Sequence, residues 1–346
     1  MVTGVTGQDG AYLSKFLLSK GYKVFGTFRR LSSPNFWRLN SLDILSNVDL
    51  IPVDLSDLSS LIEAFNISQP DEVYNLAAQS FVGRSFEEPI STGEITGISV
   101  TRMLEASRIV KSDARIYQAS TSEIYGNNSS KVETENSVFA PASPYAAAKL
   151  YGYWMSDLYK KAYGMFVSNG ILFNHESPLR GLEFVTRKIT NAVAKIKLGL
   201  QNNLELGNLY SIRDWGYAED YVEAMWKILQ NDSPEDFVIA TGIGHTVKEL
   251  VDLAFNFANL NSEDYVRSVD TFKRLVDVNS LVGDSTKARE LLNWSPKTSF
   301  NQLIKLMYEE DLRRWGNFLN GKATVWDAPT YNDKIKITNV RYSIKI

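Results

Sequence analysis

Gly4-Val5-Thr6-Gly7-Gln8-Asp9-Gly10 stands between the short run Met1-Val2-Thr3 and the first helical pattern of the chain. Glycines at this spacing supply a tight turn, a close backbone approach, and a helix start whose N–H groups can meet an anion. Many helix starts use glycine for other reasons, so the trio decides nothing without its context. That context is an alternation. β-rich runs at Lys23 to Phe28, Val48 to Val53, Glu72 to Leu76 and Arg115 to Ala119 are each followed by an amphipathic or connecting segment. The alternation predicts an α/β fold, a doubly wound parallel sheet with helices on both faces and the glycine turn after its first strand. Only Met1, Val2 and Thr3 precede the turn, whereas a buried strand runs about 5 or 6 residues. Either this strand is very short or the numbering begins a few residues into it.

After about residue 170 the rhythm loosens, with helices predicted at Val185 to Leu198, Glu219 to Gln230, Thr246 to Ala258 and Phe300 to Arg314. Residues 1–170 are expected to form the dinucleotide-binding domain, to which later segments return. Residues 171–330 are expected to form a smaller, interleaved C-terminal substrate-binding lobe, and 331–346 a tail. In that tail Ile335, Ile337, Val340, Tyr342, Ile344 and Ile346 alternate with polar residues, a pattern that fits a terminal hairpin or a loosely held segment equally well.

The 346 residues carry 37 basic and 40 acidic side chains, a formal charge of −3, which argues against nucleic acid as a partner. Without cysteine there is no disulfide framework or thiolate chemistry, and a reducing, cytoplasmic setting fits. The two histidines, His175 and His245, lack partners at metal-ligand spacing, so no metal is expected. Neither a basic leader nor an apolar run of about 18 residues occurs, so a soluble chain with no membrane partner is expected.

Two segments carry chemistry. Tyr117-Gln118-Ala119-Ser120-Thr121-Ser122-Glu123 closes a strand, where α/β folds place reacting groups. Ser143-Pro144-Tyr145-Ala146-Ala147-Ala148-Lys149 reads as a helix start that sets Tyr145 and Lys149 one turn apart on one face. An ammonium nearby favours a phenolate, so Lys149 is expected to lower the Tyr145 pKa and make it a base for a sugar hydroxyl as hydride leaves the same carbon. A tyrosine and a lysine four apart are common in amphipathic helices, and it is the glycine turn and the acidic strand end that give this pair its meaning. The cofactor is read from what is missing. NAD sites usually bring an acid to the ribose about 20 positions after the glycines, but no acid lies between Gly10 and Asp43. Arg29 and Arg30 end the second strand instead, followed by Ser32 and Ser33, and these suit a 2′-phosphate, hence NADP.

These strings, together with Asn169 to Pro178, Phe184 to Lys188 and Arg213-Asp214-Trp215-Gly216, resemble the extended short-chain dehydrogenase/reductase family and, within it, the GDP-mannose 4,6-dehydratases, from residue 2 to about 316. The resemblance implies a Rossmann-type fold and an NADP-dependent removal of water from a GDP-sugar. It implies NADP contacts from Gly4, Val5, Thr6, Gly7, Gln8, Asp9, Arg29, Asp54, Leu55, Leu76, Ala77, Ala78, Gln79, Ser80, Tyr145, Lys149, His175 and Arg180. Thr121, Glu123 and Tyr145 match the family's catalytic trio, with Lys149 beside them. Asn174, Val185, Lys188, Arg213 and Arg274 match positions that hold the nucleotide diphosphate-sugar, with Ser80, Thr121, Ser122 and Glu123 on the sugar side. Ser122 replaces the aspartate of dTDP-glucose dehydratases. Ser91, Leu275 and the pair Phe36-Trp37 depart from the close relatives. In such proteins the loop corresponding to Arg30 to Arg38 reaches a neighbouring subunit, so a homodimer or homotetramer is expected, with exposed aromatics in that loop. A GDP-heptose dehydratase, an epimerase or reductase that would not need Glu123, and a noncatalytic NADP-binding protein are the competing readings.

Overall fold

The computed structural model describes residues 1–32, 35–128, 130–269, 276 and 278–322. Arg274, Leu275, Ser33 and the tail 331–346 lie outside the described residues. The strands in chain order are β1 (Val2–Thr3), β2 (Phe25–Phe28), β3 (Asp49–Pro52), β4 (Glu72–Asn75), β5 (Arg115–Ala119), β6 (Val167–Leu172), β7 (Asn174–Glu176), β8 (Leu204–Leu206), β9 (Ile212–Tyr217), β10 (Phe237–Ile239), β11 (Gly244–Thr246), β12 (Val266–Ser268) and β13 (Ser280–Leu281). Seven of them form one sheet in the order β10-β6-β5-β4-β1-β2-β3, and every pairing in it is parallel.

All six residues of β6 are buried, as in a strand covered on both faces. One face packs on the helices Gln8–Ser19 and Ala218–Leu229 through Leu13, Leu17, Tyr221 and Met225. The other packs on Leu58–Ser68 and Ser99–Val110 through Leu61, Phe65, Met103 and Leu104, each fully buried. Burial of each such side chain stabilises by about 1.5–3 kcal/mol. A separate core joins the helices Val185–Lys197, Val247–Phe257 and Phe300–Leu319 around Trp215.

The strand order reverses at β1. The chain goes from β1 outward to β2 and β3, then crosses to β4 on the other side. A crevice therefore opens between the C-terminal ends of β1 and β4, the position at which open α/β sheets bind ligands. β1 has only two residues in strand geometry, although the Tyr74 N–H also donates to the Met1 carbonyl at 2.9 Å. β10, from the later half of the sequence, lies in the main sheet beside β6. The last helix runs to Leu319, beyond the expected Arg314. The helix Pro144–Tyr163 starts where Ser143 accepts a hydrogen bond from the Ala146 N–H, with Pro144 as its first residue, and stops at Gly164 with φ +64°. Among the described residues no helix is long and apolar enough to cross a membrane.

Candidate active site

A row of buried polar side chains crosses the floor of the crevice. Thr3, Asn75 and Gln118 are register partners on β1, β4 and β5. The Thr3 hydroxyl donates to Asn75 Oδ1 at 2.7 Å, Asn75 Nδ2 to Gln118 Oε1 at 2.7 Å, and Gln118 Nε2 to the Ala119 carbonyl at 3.1 Å. Thr3 Oγ1 also accepts the Leu76 and Ala77 N–H groups, which fixes the chain as it leaves β4. Thr3 and Asn75 are absent from the sequence-based set. Their signal is a polar residue at the same level of three adjacent buried strands, visible only once the register is known.

Gly4 has φ +67°, and a Cβ there would lie 2.9 Å from Ala77 Cα. A Cβ on Gly10 would lie 2.4 Å from the Gly4 carbonyl oxygen, so the first helical turn can sit on the loop only without a side chain. Ser143, Thr246 and Ser299 cap their helices with side-chain oxygens, but the helix Gln8–Ser19 starts at Gly7 with no side-chain cap. Its positive N-terminal end at the crevice therefore suits a pyrophosphate.

Gln8 and Asp9 are held from across the crevice. Gln8 Nε2 donates to the His175 carbonyl at 3.1 Å, and the Ser177 hydroxyl to Gln8 Oε1 at 2.7 Å. His175 Nε2 lies 2.8 Å from Asp9 Oδ2 and Nδ1 2.8 Å from the Phe173 carbonyl. Both ring nitrogens face acceptors, so the imidazolium satisfies both. Burial pushes the Asp9 carboxyl up, but the charge and hydrogen bond of His175, with help from Gln8 and Arg180, outweigh it and bring the pKa down to about 2. Burial pulls His175 down, and Asp9 more than offsets it, so the imidazole pKa is raised. Arg180 lies 3.2 Å from Glu176 and 3.6 Å over the Phe184 ring.

Thr121, Ser122, Glu123, Tyr145 and Lys149 are all buried. Thr121 precedes the short helix Ser122–Ile124, and its oxygen accepts the Glu123 N–H at 3.3 Å. Its hydroxyl also faces Tyr145, whose pKa it lowers. Lys149 is held by the backbone of the neighbouring strand. Its ammonium donates to the Ala119 carbonyl at 2.8 Å and sits 5.9 Å from the centre of the Tyr145 ring. Burial pushes Tyr145 up to about 12, against the lowering influence of Thr121 and of the Arg180 charge. Burial takes Lys149 itself down to about 8, against the pull of Asp9.

The remaining expected residues fall into two groups. At the cofactor side Arg29 and Arg30 extend past β2 and are exposed, as is Asp54 past β3, while Leu55 is half-buried. Asp54 Oδ1 accepts the Ser56 N–H at 2.9 Å. Leu76, Ala77, Ala78 and Gln79 are half-buried, Ser80 is exposed, and the Gln79 N–H donates to Thr96 Oγ1 at 3.1 Å. On the substrate side Asn174 lies in β7, Arg213 is buried in β9, and Val185 opens the helix that carries Lys188. Lys188 lines a cavity of about 350 Å³ with Asn191, Gln201 and Glu205, and none of Thr121, Glu123, Tyr145 and Lys149 lines it. Burial lowers the Lys188 pKa, and Glu205 partly restores it.

The loop after β2 also differs from expectation. Phe36 is fully buried against Phe28, with ring centres 5.1 Å apart, because it closes the core beneath β2. Trp37 is half-buried, with the Arg38 guanidinium 4.4 Å over its ring. Arg38, which the sequence reading missed, turns inward to the Thr6 and Leu179 carbonyls at 3.1 and 2.7 Å.

Known proteins resemble this one in fold and in sequence. The UDP-glucose 4-epimerase of Thermus thermophilus, solved with NAD, superimposes with a TM-score of 0.79 at 25% identity, over 90% of this chain and 97% of that one. The dTDP-glucose 4,6-dehydratase DesIV of Streptomyces venezuelae shares the fold at a TM-score of 0.81 and 23% identity, over 91% and 97% of the two chains. In sequence, GDP-mannose 4,6 dehydratase 2 of Arabidopsis thaliana is 48% identical over 322 residues, which cover 90% of this chain and 86% of the relative. The human GDP-mannose 4,6 dehydratase is 45% identical over 337 residues, covering 90% and 91%. The family model described as GDP-mannose 4,6 dehydratase matches residues 1–307, a span that contains the glycine turn, the end of β5 and the helix of Tyr145, and so this chain belongs to the GDP-mannose 4,6-dehydratase family.

Proposed function

We propose that the protein removes water from GDP-mannose to give GDP-4-keto-6-deoxymannose, using NADP that is regenerated within each cycle. The observation that carries this reading is the grouping of Thr121, Glu123 and Tyr145 at the end of β5, beside a crevice whose glycine turn presents an uncapped helix start. That helix start fits a pyrophosphate, and the exposed Arg29 and Arg30 past β2 fit a 2′-phosphate. When bound there, the nicotinamide supplies the redox chemistry, taking hydride from C4 of the hexose and returning it to C6.

Tyr145, as the phenolate, accepts the O4 proton as C4 is oxidised, and the Thr121 hydroxyl beside it favours that phenolate before the transfer. The C5 hydrogen, scarcely acidic in the parent sugar, lies next to a carbonyl after that oxidation. Glu123 removes it and passes the proton to the departing C6 hydroxyl, which leaves as water, and the proton held on Tyr145 goes to C5 as hydride returns to C6, so that both residues end as they began. Lys149, anchored on the Ala119 carbonyl, places a positive charge behind Tyr145. Asn174, Val185, Lys188 and Arg213 hold the nucleotide diphosphate-sugar in this reading. The protein works as a homodimer or homotetramer.

Mass spectrometry after incubation with a panel of nucleotide sugars tests the substrate. Loss of one water from GDP-mannose is expected. Loss from a GDP-heptose alone would redirect the substrate assignment, and no loss from any GDP-sugar despite tight NADP binding would leave a noncatalytic binding protein.

A further inference from the structure

Between β7 and the helix Val185–Lys197, three consecutive carbonyls are taken by three arginines from different parts of the chain. The Pro178 carbonyl accepts Arg187 Nη1 at 2.7 Å and Arg314 Nη1 at 2.6 Å. The Leu179 carbonyl accepts Arg38 Nε at 2.7 Å, and the Arg180 carbonyl accepts Arg187 Nη1 at 2.9 Å. Asp311, 1% exposed, balances the buried charge through its paired bonds to Arg187. Arg38 alone of the three also reaches the glycine turn, where Nη1 donates to the Thr6 carbonyl at 3.1 Å. Its planar fork thus spans the cofactor turn and the loop that carries Arg180, a task a lysine cannot do with one point charge.

We propose that Arg38 is a positioning residue that, with Arg187 and Arg314, fixes the Pro178–Arg180 backbone against the glycine turn and thereby sets where the Arg180 guanidinium stands relative to Tyr145. The proposal rests on the reading of Tyr145 as the base. The groups acting on the Tyr145 hydroxyl include Thr121, Glu123, Arg180 and Asp9, with the Lys149 ammonium 5.9 Å from its ring centre. Arg180, together with the Lys149 ammonium, supplies the positive charge that favours the phenolate. Polar backbone groups buried under a loop need such partners, and when those partners are guanidinium forks on separate elements they fix the loop in place as well.

The test compares Arg38→Lys and Arg187→Lys in the full chain. Arg38→Lys keeps the charge and loses the fork. It is expected to move the ascending limb of kcat against pH upward by about half a unit, about threefold in kcat on that limb, with KM for GDP-mannose within about twofold. Amide hydrogen exchange at Leu179 and Arg180 should quicken in the same variant without cofactor. Arg187→Lys, which acts on the same loop from the other side, should shift the same limb, and the double variant should shift it less than the sum of the two. A lower melting temperature with an unmoved limb and unchanged exchange overturns the proposal, and should Arg187→Lys not fold, Arg38→Lys decides alone. An active Tyr145→Phe variant brings down both this proposal and the reading beneath it. An inactive Tyr145→Phe with an unmoved limb in Arg38→Lys brings down the positioning role only.

Discussion

The two ends of the cofactor crevice are built in opposite ways. At the end of β5, Thr121, Glu123, Tyr145 and Lys149 are each less than a tenth exposed, and Thr121 and Lys149 are bonded to backbone groups of the same strand end. Past β2 and β3, Arg29, Arg30 and Asp54 are exposed, and the Asp54 carboxylate is bonded locally, to Ser56 two residues on. The difference follows from what each end has to do under the proposed function. Proton transfer needs reacting atoms held within hydrogen-bond reach, and that geometry is set during folding. Telling NADP from NAD needs a positive charge near one phosphate, which a mobile side chain in water supplies at little structural cost.

The comparison is broken most severely at its buried end. Glu123→Gln keeps size and hydrogen bonding but removes the proposed base. Hydride transfer from C4 should survive while C5 deprotonation slows by roughly 10²–10⁴, so that reduced cofactor and a 4-keto hexose accumulate in a single turnover. Tyr145→Phe should stop the reaction before reduced cofactor appears, because the O4 proton has no acceptor. Stopped-flow absorbance of the nicotinamide separates the two. If the Gln variant expels water at the native rate, Glu123 is not the base.

The same contrast marks what the sequence could reveal. The glycine turn and the end of β5 are local, their chemistry is written in consecutive residues, and the strand Arg115–Ala119 coincides with the predicted run. Contacts that depend on how separate elements meet are not written that way. Lys149 and Tyr145 share a helix face, yet the ammonium is taken by a carbonyl of the neighbouring strand, a competition no i,i+4 rule contains. The row Thr3-Asn75-Gln118 needs the register of three strands, and Arg38 needs a partner more than 140 residues away. Phe36 reads as a loop aromatic because the segment from Arg30 to Arg38 is charged at both ends, but it fills the core beneath β2.

A smaller effect is expected where the two ends are tied together, at Asp9 and His175. The Asp9 pKa is depressed to about 2, so its contribution to stability is present above the unfolded value of about 4 and is lost as pH falls towards 2. The His175 pKa is raised, so its contribution is full below the unfolded value of about 6.5 and is lost as pH rises through the folded value. The pair therefore stabilises most between about pH 4 and 6.5. Asp9→Asn should cost about 2 kcal/mol in that window and flatten the dependence on both sides. Urea midpoints measured from pH 3 to 9 check this, and parallel curves for the variant and the parent would mean that the pair is not coupled to folding.

The smallest effect belongs to the exposed rim. Arg29 follows β2 where an acid would sit in an NAD site, and no acid occurs between Gly10 and Asp43. A charged hydrogen bond to a phosphate is worth about 1.5–3 kcal/mol when sheltered, and exposure discounts it towards the low end. Arg29→Ala should therefore weaken NADP roughly tenfold and leave NAD nearly unchanged, since NAD has no phosphate at that position. The loss should shrink as salt is raised, because an exposed charge pair is screened over about 10 Å at 0.1 M ionic strength. Arg29→Lys should recover part of it, as a point charge replaces the fork. Calorimetric titration with both cofactors at two salt concentrations makes the measurement. Equal losses for NADP and NAD would show that Arg29 shapes the rim without reading the 2′-phosphate, and Arg30 with Ser32 would then be the groups to vary next.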